Sequence, residues 1–295
     1  DIRRLWATSV DYQADCRMSD EILKQISEQY RKVRNTFRFM LANVNPEEDF
    51  TKEDLVDINE LPELDKYILV LLNEVNEKAM KAYKEYRFAD ITNMLSNLMT
   101  NELSAYYMDY TKDILYIEKK DAPRRRQVQT VLWHAVNTLV RLWAPILVHT
   151  CEEVNDFFHT EAESIHLGSF AQALDVQGAD TIKADMERMM AISQDIFKAL
   201  EEARAEKVIG KSLEAHVMIN VSDEDRALIE KLCGNHFNQW LIVSKVSFSV
   251  DELKQYEVCQ VEVEKCEGKV CPRCWNITDS HAEDGLCDRC AEVLK

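Results

Sequence analysis

The 295-residue sequence predicts a mainly α fold, in which an antiparallel helical bundle precedes a small α+β module and a C-terminal four-cysteine ribbon. Three observations predict it. Only 6 glycines and 5 prolines occur, which favours long helices over many short strands and turns. Apolar residues recur every three or four positions over most of the chain, and every second position near residue 215. The last thirty residues carry two Cys-x-x-Cys pairs but too few apolar residues for a core.

The first long helix is predicted from about Asp20 to Leu41. Ser19 can cap it, and Asp20 and Glu21 fall in its first turn, where the helix dipole favours anions. One face of this segment is apolar, with Ile22, Ile26, Tyr30, Val33, Phe37 and Leu41. Another face carries four cations, Lys24, Arg31, Arg34 and Arg38.

The following segments predict the rest of the bundle. The acidic stretch from Pro46 to Glu60 indicates a linker or short helices. Helices are predicted to start at Pro62, which suits the first helical position, to run from Phe88 to Tyr110, and to start again near Pro123. Pro145 is expected to kink or restart the last of them. Short connections between long amphipathic helices are typical of an up-and-down bundle.

After Gly168 the pattern changes. A helix is predicted from Ile182 to Lys207, and Gly210 is expected to end it by taking a backbone conformation that other residues avoid. The later segments are predicted as a strand over 213–221, a helix over 223–233, and strands over 240–249 and 257–265. The predicted domains are 1–45 (linker helices), 46–178 (bundle), 179–265 (α+β module) and 266–295 (ribbon).

Net charge and cysteine count exclude some classes of protein. A net charge of -17 argues against general nucleic-acid binding, which rests on neutralising phosphates, although a local basic face stays possible. Nine cysteines, an odd number, fit a reducing compartment better than a disulfide framework. No signal peptide or membrane span of about 20 apolar residues is evident, so the cytoplasm and no membrane partner are expected. A start without Met suggests a fragment of a longer protein.

The two Cys-x-x-Cys pairs predict a metal site. Twelve residues separate the pairs, so two thiolates from each can meet at one tetrahedral centre. Four thiolates favour one structural zinc ion and leave no position open for a catalytic water, although iron can replace zinc during recombinant expression. Two unrelated pairs or a redox motif explain the spacing less well. Cys266 and His281 lie nearby but are not needed. The predicted ligands are Cys271, Cys274, Cys287 and Cys290.

Arg273 lies between the first two cysteines of the pairs, and Trp275 directly follows them. An exposed tryptophan beside an arginine suits stacking and phosphate contact with single-stranded RNA. Packing of Trp275 against the preceding module is an equally good interpretation of the sequence.

Several strings resemble the class I aminoacyl-tRNA synthetases, in particular the bacterial isoleucine type. They are DIRRLWATSVDYQAD from Asp1, SDEIL from Ser19, YRKVRNTFRFML from Tyr30, ELDKYILVLLNEVN from Glu63, TVLWHAVNTLVRLWAPILVHTCEEV from Thr130, ALEEARAEKVIGKSLEAHV from Ala199, and CPRCW with its partner cysteines. They cover nearly the whole chain in the family's order, and the terminal ribbon separates the isoleucine type from the valine type, which typically ends in a coiled-coil arm.

The resemblance implies an anticodon-binding type of bundle and a role in tRNA recognition. The family's HIGH and KMSKS signatures, which hold ATP, are absent; Ile165-His166-Leu167-Gly168 only superficially resembles HIGH and is interpreted as a connector. The chain therefore resembles the part that follows the catalytic domain of an isoleucine–tRNA ligase. The implied partners are tRNA(Ile) and that catalytic domain, in a monomer, with ATP bound only by the missing domain and no catalysis by this part alone.

Nine residues are candidates for RNA contact. They are Arg31, Lys32, Arg34, Asn35 and Arg38 on the first long helix, Arg124 and Arg125 before a bundle helix, and Arg273 and Trp275 on the ribbon. For the helical and Arg124–Arg125 groups, a solvated charged surface is the ordinary alternative.

A protein-interaction scaffold with an acidic bundle and a zinc ribbon is the competing hypothesis. It suits the bulk charge but does not explain the family strings. An autonomous enzyme has no support, because the sequence offers no nucleophile–base arrangement and no open metal site.

Overall fold

The computed structural model describes residues 1–47 and 49–295, and the chain divides into two compact units. The first unit comprises Asp1–Asp109 and Lys120–Ala179, and the second comprises Tyr110–Lys119 and Asp180–Lys295. The mainly helical fold with a small mixed sheet and a terminal cysteine cluster is confirmed. The predicted domain boundaries at 45, 178 and 265 stay predictions.

The first unit is a helical bundle. Its helices are α1 (Ile2–Ser9), α2 (Asp20–Asn43), α3 (Glu63–Lys84), α4 (Phe88–Asn97), α6 (Pro123–Trp143) and α7 (Val148–Phe158). Helix α3 packs against α4 and α6, and α2 packs against α1, α6 and α7. Ser19 caps α2 as predicted, because its hydroxyl accepts a hydrogen bond from the Ile22 amide at 3.3 Å. The acidic stretch forms two short 3-10 turns, Lys52–Asp54 and Ile58–Glu60, also as predicted.

One helix of the bundle differs from the sequence prediction. After α4 the chain continues as a π-helix, Leu98–Tyr107, and then as α5 (Met108–Ile117), so the helix predicted over 88–110 changes its hydrogen-bond register and runs further. Pro145 marks a restart, one of the two outcomes predicted for it, since α6 ends at Trp143 and α7 begins at Val148. The proline lies in the turn between them, where its missing N–H costs no helical hydrogen bond.

The second unit combines α8 (Ala179–Ala205) with a three-stranded sheet of order β2-β1-β3. Its elements after α8 are β1 (Ala215–Asn220), α9 (Asp223–Cys233), α10 (Phe237–Leu241), β2 (Lys245–Phe248) and β3 (Gln260–Lys265). Strand β1 is central, parallel to β2 and antiparallel to β3, and buried positions alternate along it as the period of two predicted. Trp240, placed in a strand by the sequence, lies in α10 instead.

The expectation that Gly210 takes a left-handed conformation is wrong. Lys207 takes it, with φ 61°, two residues after the end of α8. Gly210 instead donates its amide to the Glu214 carboxylate at 2.9 Å. A lysine tolerates this backbone at a modest energetic cost, so sequence reasoning that reserves the conformation for glycine placed the stop three residues late.

The ribbon, residues 266–295, contains a two-stranded antiparallel pair and one short helix. Strand β4 (Lys269–Val270) pairs with β5 (Ile277–Thr278), and α11 (Asp288–Val293) follows. Gly268 has φ 125°, and a Cβ there would lie 2.6 Å from the Thr278 carbonyl oxygen, so only glycine fits. Among the described residues, no helix is long and apolar enough to cross a membrane.

Candidate metal centre and nucleic-acid interface

The four predicted ligand cysteines meet in the ribbon. All four residues are buried, and their sulfur atoms lie within 4.8 Å of one another. The sulfurs of Cys274 and Cys287 are 3.7 Å apart. A tetrahedron with metal–sulfur bonds of about 2.3 Å has edges of about 3.8 Å, so the spacing fits a tetrahedral metal ion. The cluster could therefore hold a metal ion.

Backbone geometry prepares the first cysteine for the thiolate form. Burial alone raises the pKa of Cys271, but backbone amides that donate to its sulfur outweigh burial and lower the pKa. One of these is the Cys287 amide, with nitrogen and sulfur 3.4 Å apart. Burial raises the pKa of Cys290, while the Arg273 guanidinium acts to lower it. Because metal ligation needs thiolates, amides and a cation around the sulfurs suit a metal site.

A buried hydrogen-bond donor without a partner, on Arg273, supports the fit of the four-cysteine site to a metal ion. Nη1 of Arg273 is buried, and no described residue accepts a hydrogen bond from it. The Nη2 of the same side chain donates to the Ile117 carbonyl oxygen at 2.7 Å. A guanidinium that lies against Cys290 with a spare N–H is suited to a sulfur that carries negative charge when it binds a metal.

Cys266 and His281 do not belong to the group of clustered donor atoms, although the His281 backbone pairs with that of Cys287. The Cys266 sulfur is 3.6 Å from the Glu267 carbonyl oxygen, and the His281 ring is 3.4 Å from the Thr278 hydroxyl. The group of clustered donor atoms among the described residues consists of the four predicted cysteines.

Trp275 lies on the surface of the ribbon. Its side chain is 67% exposed, and its backbone has φ 63°, which is rare for a bulky residue. The Trp275 amide donates to the Cys271 carbonyl oxygen at 2.9 Å, so the knuckle that surrounds the metal site holds this conformation. Of the two interpretations that the sequence left open, packing of the indole in the interior does not match its exposure.

The five candidates on α2 all lie on its exposed face. Arg34 forms a two-pronged ion pair with Glu153 of α7, with both N–O distances 2.6 Å. Arg31 pairs with Glu28 one turn earlier. Within the described residues, Lys32 and Arg38 form no ion pair. The exposed candidates are Arg31, Lys32, Arg34, Asn35 and Arg38.

Arg124 and Arg125 lie at the start of α6, and both guanidinium groups contact carboxylates. Arg124 forms a two-pronged ion pair with Asp65, which is fully buried and also accepts from the Tyr107 hydroxyl at 2.7 Å. Arg125 pairs with Asp49 and donates to the Lys120 carbonyl oxygen at 3.0 Å. These contacts tie the acidic segment and α3 to α6. Phosphate contact by either arginine requires exchange of a carboxylate partner, so it stays a prediction.

One interacting set escaped the sequence analysis. Arg289, between Cys287 and Cys290, contacts Asp113 and Glu118 near the end of α5. A signal was present, since both knuckles read Cys-x-Arg-Cys, but the acidic partners lie about 170 residues earlier and carry no motif.

The fold and the site define a mainly α-helical module that ends in a four-cysteine ribbon. A family model described as "Anticodon-binding domain of tRNA ligase" matches residues 65–219, more than half of the chain. The chain belongs to this family of tRNA-ligase anticodon-binding domains.

Similar full-length proteins are isoleucine–tRNA ligases. The chain is 44% identical over 305 residues to isoleucine–tRNA ligase 1 of Oceanobacillus iheyensis. It is 44% identical over 309 residues to isoleucine–tRNA ligase of Geobacillus kaustophilus, and 42% over 307 residues to that of Bacillus mycoides. Each match covers 100% of this chain but only 32–33% of the relative, so the chain spans about a third of the length of these curated relatives.

Proposed function

We propose that the chain is the tRNA-recognition region of an isoleucine–tRNA ligase. In this role it positions tRNA(Ile) for ATP-dependent aminoacylation by a catalytic portion of the same enzyme. The family match and the similarity to isoleucine–tRNA ligases support this assignment. The bound RNA would contribute binding energy far from the reacting atoms, and the enzyme can use such energy to orient the acceptor end.

The observation that carries the proposal is the exposed indole of Trp275. A large aromatic group that stands 67% exposed, on a left-handed backbone fixed by a metal knuckle, is pre-organised for stacking. Unpaired bases of an anticodon loop have free faces, and base–aromatic stacking contributes about 1–3 kcal/mol per base. We assign Trp275 to such a base.

The exposed face of α2 is the second proposed contact. Lys32 and Arg38 present cations and Asn35 an amide, and the RNA backbone needs such partners. Arg31 and Arg34 can join them by exchanging exposed carboxylate partners, which bind weakly in water.

We infer that the metal is one zinc ion held by the four cysteines. A complete set of four thiolates in tetrahedral spacing favours zinc and leaves no ligand position for substrate. Zinc would supply structural stabilisation of the ribbon, while ATP would bind only to the catalytic portion. A monomeric enzyme in the cytoplasm completes the proposal.

A binding titration tests the function. Labelled tRNA(Ile) and a tRNA with another anticodon are titrated with the chain over a salt series, and tighter binding of tRNA(Ile) is expected. Trp275→Ala should weaken binding by the stacking contribution of about 1–3 kcal/mol. The control Phe197→Ala, which removes another exposed aromatic side chain of the second unit, should not. Equal binding of both tRNAs, or none at low salt, would contradict the proposal.

A further inference from the structure

The two knuckles of the ribbon share a feature that the metal site does not require. Each has an arginine directly before its second cysteine, Arg273 before Cys274 and Arg289 before Cys290. Both guanidinium groups contact the last part of α5, which belongs to the same compact unit as the ribbon.

Arg289 makes the larger set of contacts. Its guanidinium donates to Asp113 Oδ2 at 2.7 Å and to Glu118 Oε1 at 2.6 and 3.0 Å. The Arg289 side chain is about one-third exposed, and each carboxylate about one-quarter, so water screens these contacts only in part. Asp113 also accepts from the Gln239 side chain at 2.5 Å, which adds α10 to the same junction.

Arg273 contacts the end of the same helix. Ile117 is the last residue of α5, and its carbonyl oxygen has no partner further along the helix. The Arg273 Nη2 donates to this oxygen, and a cation is favoured at the negative end of the helix dipole. Ile117 also packs directly against the four cysteines.

We propose that Arg273 and Arg289 are positioning residues, which fix the ribbon on the end of α5 and thereby set where Trp275 is presented to RNA. This inference rests on the proposed function. It replaces direct RNA contact by Arg273 with an indirect role, because Nη2 of its guanidinium donates to the Ile117 carbonyl oxygen and Nη1 is buried. We call the contacts of Arg273 and Arg289 with α5 the arginine clamp.

The arginine clamp predicts that Asp113→Asn weakens RNA binding, whereas the loss of a negative charge alone would strengthen it. If Asp113 only added negative charge, Asp113→Asn would strengthen the binding of a polyanion. If Asp113 instead holds the ribbon through Arg289, the same substitution misplaces Trp275 and weakens binding. Complete loss of one base–aromatic stack weakens binding about 5- to 150-fold, and we expect about 10-fold for a misplaced indole.

The first experiment measures tRNA(Ile) affinity of the full 295-residue chain over a salt series. Asp113→Asn and Arg289→Gln should each weaken binding about 10-fold, the double variant no more than either alone, and the salt slope should not change. The matched control is Arg226→Ala, which removes an exposed arginine paired with Glu230 in the same unit. A slope reduced by about 0.7–0.9 in Arg289→Gln, which removes the positive charge, or tighter binding by Asp113→Asn, would overturn the clamp in favour of phosphate contact.

The second experiment needs no RNA. Amide hydrogen exchange over residues 271–290 of the zinc-loaded protein should become roughly 10-fold faster in both clamp variants and stay unchanged in Arg226→Ala. Zinc stoichiometry, measured by release to a chromophoric chelator, confirms that each variant is loaded. Unchanged exchange overturns the clamp whatever the RNA result. Faster exchange with unchanged affinity overturns its role in presenting Trp275. If the unsubstituted chain binds no tRNA, the proposed function fails, while exchange still decides whether the clamp exists.

Discussion

Removal of the proposed zinc ion should unfold the ribbon and leave the helical bundle intact. The perturbation is a strong chelator, or Cys290→Ala, which deletes one of the four buried ligands. Apolar packing cannot replace the metal, because the ribbon buries little aliphatic surface. Val270 and Leu294 are 57% and 62% exposed, whereas Ile277 is buried.

The free energies contributed by apolar burial and by zinc binding differ enough to decide whether the ribbon folds without metal. Full burial of a side chain such as Ile277 contributes about 1.5–3 kcal/mol. Binding of a structural zinc ion to four ligands contributes about 10–16 kcal/mol at neutral pH, and much of that free energy is folding free energy in a small metal-bound segment. We therefore expect the ribbon without metal to lose its fixed structure at any temperature.

Hydrogen exchange is the assay, because it reports each segment separately. The amide of Cys271, which donates to the Asn276 carbonyl oxygen at 2.9 Å, should lose protection on chelation and regain it when zinc is added back. Amides in the middle of α3 (Glu63–Lys84), in the other unit, serve as the internal control. Protection of the ribbon amides that survives complete metal removal would refute the reasoning, since another source of stability would then exist.

Three further outcomes follow from the bundle. Glu153→Gln releases Arg34 and removes a nearby negative charge. At about 8 Å in water, one charge changes the interaction with a phosphate by about 0.5 kcal/mol, so the affinity for tRNA should rise two- to threefold. A fall in affinity in a filter-binding assay would show instead that Glu153 orients Arg34 for RNA. Burial lowers the pKa of His134 to about 4, below the usual 6.5, so the unfolded chain binds the proton first. Stability should fall by about 2–3 kcal/mol as pH drops from 6.5 to 4, and urea titrations of His134→Gln should show this loss removed. Asp65→Ala removes the carboxylate that accepts a hydrogen bond from the Tyr107 hydroxyl. The free energy of unfolding, measured in urea, should fall by about 2–4 kcal/mol. A fall of less than about 1 kcal/mol would argue against a stabilising role for this buried contact.

Local patterns allowed most of the elements to be predicted. The Ser19 cap, the apolar stripe of α2, the period of two in β1 and the spacing of the four cysteines each depend on residues close in sequence. Such signals fix where an element begins, which face it buries and which ligands meet. The four-cysteine cluster needed no long-range information beyond twelve intervening residues.

Ion pairs between distant segments could not be predicted in this way. In the sequence, Arg124 and Arg125 indicate an exposed basic run. Their partners, Asp65 and Asp49, come from segments that only the folded bundle brings close to them. An arginine in a sequence does not reveal whether an internal carboxylate or a ligand phosphate will neutralise it, because both offer the same two-pronged geometry. Tertiary structure decides between them.

The same pairing explains how a chain with a net charge of -17 can recognise RNA. Salt limits the reach of an exposed charge to about 8–10 Å, so affinity depends on the charges beside the contact rather than on the total. Asp65 and Asp49 are neutralised within the bundle, whereas Lys32 and Arg38 are exposed and form no ion pair within the described residues. Binding without sequence preference depends on neutralising many phosphates. An acidic surface with a few local cations therefore repels an RNA that does not reach those cations. For the proposed role in selecting tRNA(Ile), the excess of acid therefore favours discrimination at the expense of raw affinity.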